Sequence, residues 1–246
     1  MIKSFVFWFN FIFLLPSVFT EVPSYLPVCG RRNPKLDECI LNSVKTVTPL
    51  LVRGIPELKV PPIEPLFLPE GLSFYNLKDF SASTKNVKLS NLSAFEPSNF
   101  HADLDKKTIT FKVHFDQVKT EGDYVVDAKI LVPIHGDGYI TIDSYDINAD
   151  VVLQYKLIST KKGQQLYFTG MTCKMKIADY KCNFTPYDKS STTLADAINT
   201  VINSNRQEVL ETFIPILEKA ISTRVLEISN KICKNFTYDE LFPDHE

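Results

Sequence analysis

The sequence predicts an α+β fold in which one long C-terminal helix is covered by an antiparallel sheet of long strands. Three observations carry that prediction. Between about residues 72 and 184 apolar side chains alternate with polar ones. From Leu194 to about Cys233 they recur at steps of three and four. Short polar runs that favour turns punctuate the alternating region.

The N-terminus, MIKSFVFWFNFIFLLPSVFT, has a positive flank at Lys3, an apolar core from Phe5 to Leu15 interrupted by Asn10, and small residues at Ser17 and Thr20. This is the pattern of a secretory signal peptide over residues 1–20. Its core is about half the roughly 20 residues a membrane-spanning helix needs, so stable membrane insertion is not expected. The remainder, residues 21–246, is expected to form a single domain. Hydrophobic residues make up 44% and charged residues 23% of the chain, an ordinary globular composition. Removing Lys3 takes the formal charge from -2 to -3, which provides no basic excess for nucleic acid or an anionic membrane.

Secretion places the cysteines in an oxidising environment, where pairs persist as disulfides. Cys29 and Cys39 are separated by nine residues with Gly30 and Pro34 between them, a spacing that fits no zinc template. They are expected to bridge. Cys173, Cys182 and Cys233 leave one thiol over; Cys233 is expected to pair with Cys173, with Cys173–Cys182 the open alternative. Asn91, Asn183 and Asn235 each begin an Asn-x-Ser/Thr sequon, the acceptor pattern for glycosylation.

Leu36, Ile40, Val44, Val47 and Leu51 share one face of a helix over residues 35–53, which Gly54 stops. The next stretch, GIPELKVPPIEPLFLPE, holds five prolines and predicts a stiff, extended connector. Ile109, Phe111, Val113 and Phe115 begin the alternation. Val126, Ala128, Ile130 and Val132 continue it, as do Ile147, Ala149, Val151, Leu153, Tyr155 and Leu157. Turns are expected at residues 105–107, 121–123, 135–138 and 161–163, giving a meander of strands with one dry face. The C-terminal helix would run about 60 Å, with Pro215 kinking its middle. Such a helix needs covering along its length, and the dry face of the sheet is available. The interface is either a filled core or an apolar cavity; periodicity alone favours the filled core.

Several segments resemble insect takeout and juvenile hormone binding proteins, and within them the takeout-like branch. These are the Cys29–Cys39 pair before an amphipathic helix, the proline-rich block, GDYVVDAKILVPIHGDGYITI at 122–142, and the C-terminal YDELFP. The likeness spans about Tyr25 to Pro243. It implies a TULIP-like super-roll, in which a strongly curved antiparallel sheet wraps the long helix and encloses an elongated hydrophobic tunnel. It implies a secreted carrier of a small hydrophobic ligand, whether a juvenile hormone-like terpenoid, a fatty acid or another lipid, in haemolymph or another extracellular fluid. A receptor for the loaded form is an open matter. The alternative is an extracellular interaction or signalling protein with a filled core.

No enzyme constellation is present: GxSxG, HExxH, GxxxxGK and GxGxxG are all absent from the sequence. The HGDG at 135–138 reads as a turn rather than an oxyanion loop. Asp143, Asp146, Asn148 and Asp150 lack the glycine and terminal glutamate of a calcium loop, so neither a metal nor a cofactor is expected. Ligand binding would rest on burial. The candidate wall comprises Val44, Val47 and Leu51 on the first helix, Phe111, Val126, Ile130, Leu153 and Tyr155 on strands, Met171 and Met175, and Phe213, Leu217 and Ile221 on the long helix. The methionines suit an adaptable lining, and Tyr155 offers a hydroxyl to a polar head.

Overall fold

The computed structural model describes residues 22–77, 80–129 and 133–244. The signal segment, Ile130 and His245 lie outside them. An N-terminal helix α1 (Leu36–Arg53) is followed by strands β1 (Leu66–Leu68), β2 (Ser73–Leu77), β3 (Phe80–Ser90), β4 (Glu96–Asp103), β5 (Thr108–Lys129), β6 (Pro133–Thr160) and β7 (Gly163–Pro186). Helices α2 (Thr192–Ser204), α3 (Arg206–Cys233) and α4 (Tyr238–Leu241) complete the chain. All strand pairs are antiparallel, in the order β1-β3-β5-β6-β7, with β2 also on β3 and β4 also on β5.

Helix α1 begins with Asp37 and Glu38 in its first turn, favourable at the positive end of the helix dipole. The Asp37 carboxylate accepts from the Ala102 backbone N–H at 2.8 Å and contacts His101 Nδ1 at 3.0 Å, which fixes the helix start to β4. The helix ends as the sequence predicts, at Gly54 with φ 82°, a conformation that glycine adopts without strain. Cys29 and Cys39 are disulfide-bonded, with Cα atoms 5.9 Å apart. The loop they close meets the other end of the chain. Arg31 N–H donates to Pro243 O, its guanidinium pairs with Asp239 at 2.8 Å, and it lies 5.2 Å from the centre of the Tyr238 ring. Replacing both cysteines with serine is expected to lower unfolding free energy by about 3 kcal/mol, from the loop entropy returned to the unfolded chain. Urea denaturation under non-reducing conditions measures that loss.

The proline-rich block is more than a connector. Residues Pro56–Leu58 form a 3-10 turn, Ile55 and Val60 bridge across it, and β1 pairs with β3. Ile55, Leu58, Val60, Leu66 and Leu68 are buried in the main core cluster with Val87, Ile228 and Phe236. Prolines exclude a central strand but not an edge strand, and β1 sits at the edge.

Two of the expected turns form, around residues 105–107 between β4 and β5, and at 161–163 between β6 and β7. The other two lie inside strands. Gly122 is within β5 and Gly136 and Gly138 within β6, so HGDG is strand, not turn. At Gly138 a Cβ would lie 2.2 Å from Thr185 O and 2.7 Å from the Tyr124 ring, so here glycine marks close approach within a sheet.

The inward face of the sheet changes phase along a line across three strands. On β5 the inward positions are Ile109, Phe111, Val113 and Phe115, then Val118 and Thr120. On β6 they are Ile140 and Ser144, then Ile147, Ala149 and Val151; on β7, Cys173, Met175 and Ile177, then Tyr180 and Cys182. Asp146 sits on this line with φ 49°, the irregularity that lets β6 rotate its side chains by one position.

The C-terminal helical region is broken into two helices. Asn205, with φ -107° and ψ 46°, separates α2 from α3, while Pro215 is contained within α3. Both helices lie along the outer edge of β7, and their side chains take the place of a further strand. Asn199 pairs with the N–H and C=O of Phe184, Asn203 with those of Cys182, and Asn230 with those of Phe168. Glu218 accepts from Met175 N–H at 2.7 Å. This ladder satisfies backbone groups that an open edge would leave to water or to another chain.

The expected second disulfide is not formed: Cys173, Cys182 and Cys233 are free and buried. Met175, two residues beyond Cys173 on β7, is bonded to Glu218, and Cys233 lies 15 residues farther along α3, about 22 Å at the helical rise. Burial pushes the Cys182 and Cys233 thiols up to about 12.

Candidate functional site

A partly enclosed cavity of about 350 Å³ lies between the inner face of β5, β6 and β7 and the helices α1 and α3. Its origin is in the way α3 is attached. The helix runs close to β7 and is bonded to that edge through Glu218 and Asn230, leaving space over the inner faces of β5 and β6. Small side chains keep the space open, notably Ala149 and Ser144 on β6 and Ser229 on α3.

Of the sequence-predicted wall, Val44 and Leu51 of α1, Phe111 of β5, Met171 and Met175 of β7, and Leu217 and Ile221 of α3 line the cavity. Val47 and Phe213 instead pack against the cluster around Ile55 and Val87. Val126 lies with Tyr124, Ile140 and Tyr180 in a separate cluster. Leu153 and Tyr155 are buried beyond the opposite end, with Leu166 and Tyr238. Ile130 is outside the described residues.

Tyr155 therefore presents no hydroxyl to the cavity wall. Its ring meets Phe168 edge-on at 6.2 Å, and burial, followed by neighbouring Tyr238, raises its pKa. The wall also includes residues that sequence reasoning passed over: Val113, Phe115, Val118 and Thr120 on β5, Ser144, Ile147, Ala149 and Val151 on β6, and Cys173 and Ile177 on β7. Thr48 joins from α1; Ile63, Leu66, Leu89, Leu92 and Phe95 come from the β1 and β3 end; Val225, Ile228, Ser229 and Ile232 come from α3.

No described lining residue carries a formal charge. Cys173 is pushed up to about 11, first by burial and then by the Glu218 carboxylate, so its thiol is neutral at physiological pH. The described histidines lie elsewhere. His135 contacts Asp127 at 2.7 Å on the exposed face of the sheet, and that hydrogen bond raises its pKa. His114 is likewise raised, mainly by its hydrogen bonds to Asp116 and Asn148. The carboxylates of the run 143–150 are engaged outside: Asp150 with Lys112 at 2.9 Å, Asp143 with Gln117, and Asp146 with Asn148. Among the described residues, no three His, Cys, Asp or Glu side chains converge as a metal site would require, and no helix is long and apolar enough to cross a membrane.

The sequence pattern of the haemolymph juvenile hormone binding protein family matches residues 7–243. The chain belongs to that family. Its members are non-enzymatic carriers that bind hydrophobic ligands and are typically secreted. Among individual family relatives, the chain is 24% identical to a Schistocerca gregaria protein named "Putative beta-carotene-binding protein" over 87% of this chain and 86% of the relative. It is also 24% identical to the Drosophila melanogaster circadian clock-controlled protein daywake, over 89% and 88% of the respective lengths. The crystal structure of Epiphyas postvittana Takeout 1 superposes with a TM-score of 0.69 at 23% identity, covering 88% of this chain and 99% of that one. That superposition establishes the fold, an antiparallel sheet packed against a long C-terminal helix.

Proposed function

We propose that this protein is a secreted carrier that sequesters one small hydrophobic molecule in the cavity beneath α3, as part of an elongated tunnel wrapped by the curved sheet. The observation that carries this reading is the cavity itself. At about 350 Å³ and with an uncharged, largely aliphatic wall, it falls at the lower end of the ~300–1,000 Å³ usual for small-molecule pockets. A void of this size counts against the filled-core alternative, because native interiors pack to crystal density. Val44, Leu51, Phe111, Met171, Met175, Leu217 and Ile221 are the sequence-predicted residues that would touch the ligand. Burying roughly 300 Å² of apolar ligand surface contributes about 7.5 kcal/mol before association costs are subtracted, so burial is the main favourable term at an uncharged wall.

The volume suits a sesquiterpenoid or a medium-length acyl chain better than the carotenoid in the name of the Schistocerca gregaria relative. Secretion rests on the residue 1–20 signal pattern, the single domain on 21–246, and an oxidising compartment on the Cys29–Cys39 bridge. Asn91 and Asn183 are exposed and accessible to glycosylation. Asn235 is half-buried, with its amide donating to Lys231 O and Ile232 O, and is the least accessible sequon.

Native mass spectrometry of the protein secreted from insect cells, followed by organic extraction, tests the proposal. A defined extra mass that extracts as a terpenoid or lipid supports it. A polypeptide that emerges bare, and stays bare after incubation with terpenoids, fatty acids and carotenoids, overturns it.

A further inference from the structure

The cavity wall is apolar except at a few hydroxyls and one thiol, and those hydroxyls differ in availability. Thr48 Oγ1 donates to Val44 O at 2.8 Å, within its own helix. Thr120, Ser144 and Ser229 line the cavity, and their hydroxyls make no hydrogen bond among the described residues. Thr120 and Ser144 belong together. Thr120 pairs in register with Ile142 and Ser144 with Val118, which makes them diagonal neighbours on adjacent strands, about 7–8 Å apart. An oxygen function at this part of the wall accepts from either hydroxyl, and from both when the two side chains take rotamers that lean toward each other. The phase change at Asp146 is what turns Ser144 inward.

Their location sets the polarity of the whole site. Helix α3 runs antiparallel to β7, with Glu218 at Met175 and Asn230 at Phe168. Ser144 is opposite Tyr180 on β7, beyond Ile177, so the hydroxyl pair marks the Leu217 end of the cavity. From Leu217 to Ile232 the helical wall extends about 22 Å. Ser229, alone, is near the far end.

We infer that Thr120 and Ser144 form a head-group subsite selecting an uncharged amphiphile of medium chain length, an alcohol, ketone or ester, whose tail lies along α3 toward Ile232. Charge around the wall argues for neutrality. None of the described lining residues on α1, β5, β6, β7 or α3 is cationic. Glu218, behind Met175, is acidic, and its partner Lys174, 3.4 Å away, is exposed. Arg224, on the other flank of α3, is mostly buried and pairs through Nη1 with Glu227 at 2.9 Å; its Nε has no hydrogen-bond partner among the described residues, but Arg224 is not among the residues that line the cavity. A carboxylate entering here would lose its hydration without a countercharge, so a fatty acid would bind as the neutral acid.

The inference rests on the carrier reading, and the experiment separates the two. Binding of diphenylhexatriene, tetradecanol, methyl tetradecanoate and tetradecanoic acid is measured for the wild type, Thr120→Val/Ser144→Ala and Ser229→Ala. No uptake of any probe by the folded wild type sinks the carrier reading itself. If carriage holds, the double variant is expected to lose about tenfold in affinity for the alcohol and ester, the effect of two neutral hydrogen bonds, while keeping its affinity for diphenylhexatriene. The free acid should bind more weakly as pH rises above its solution pKa, by about tenfold per pH unit, because the bound form is protonated. Equal affinity for carboxylate and alcohol near neutral pH, or a head-group effect carried by Ser229→Ala instead, would overturn the subsite while leaving carriage intact.

Discussion

Replacing Ala149 with phenylalanine should abolish most ligand uptake and leave the protein folded. Ala149 is 6% exposed, sits on the inner face of β6 between Val113 and Met175, and lines the cavity. In a filled core, the added ring would force its neighbours apart and destabilise the protein by about 1–3 kcal/mol. Here it has a void to enter, so stability should be unchanged or slightly higher. The ring would displace on the order of 100 Å² of ligand contact, or about 2.5 kcal/mol, a loss of roughly 70-fold in affinity. Thermal denaturation and probe titration together check this. A large drop in melting temperature would mean that the space is not available to a side chain, and unchanged affinity would place the ligand elsewhere.

Much of the fold could be read from local pattern. The α1 stripe, its stop at Gly54 and the Cys29–Cys39 bridge follow from nearest-neighbour chemistry, and each is found where the sequence puts it. What escaped depends on contacts between distant segments. Gly122 and Gly138 look like turn residues in isolation; only the neighbouring strands reveal them as points of close approach. The break at Asn205 is hidden because the apolar period continues on both sides, while Asn199 and Asn203 are spent on β7.

The site was legible in the same partial way. Period-two alternation identifies a face but not how far along the strand the cavity extends. Leu153 and Tyr155 share the phase of Ile147, Ala149 and Val151, yet they lie past the cavity's end, beside α4. Thr120 and Ser144 were invisible for a different reason. The phase shift near Asp116 and Asp146 turns these two polar residues inward, and a polar residue in an alternating strand is otherwise read as solvent-facing. The positive φ of Asp146 is the physical signal, and aspartate's tolerance of that conformation is its faint trace in the sequence.

Asn203→Ala should be among the most destabilising single changes outside the apolar core, at about 2–4 kcal/mol. Asn203 Oδ1 accepts from Cys182 N–H at 3.0 Å, and its Nδ2 donates to Cys182 O at 2.8 Å and Asn199 O at 2.7 Å. Alanine leaves both Cys182 backbone groups without their partner at a part-buried position, and each such group costs about 1–3 kcal/mol. Asn203→Asp keeps the acceptor but not the donor, so it should recover only part of the loss. Urea denaturation gives the magnitude, and amide exchange at Cys182 and Phe184 locates it; a loss below about 0.5 kcal/mol would show that water serves the edge equally well. Asn230→Ala removes the equivalent pair at Phe168, but Asn230 lies between the cavity residues Ser229 and Ile232. Its loss should lower stability and ligand affinity together, whereas Asn203→Ala, beside Cys182 and outside the cavity wall, should lower stability alone. That split follows from one edge ladder serving two purposes: along α2 it closes the sheet, and along α3 it also holds the roof of the cavity.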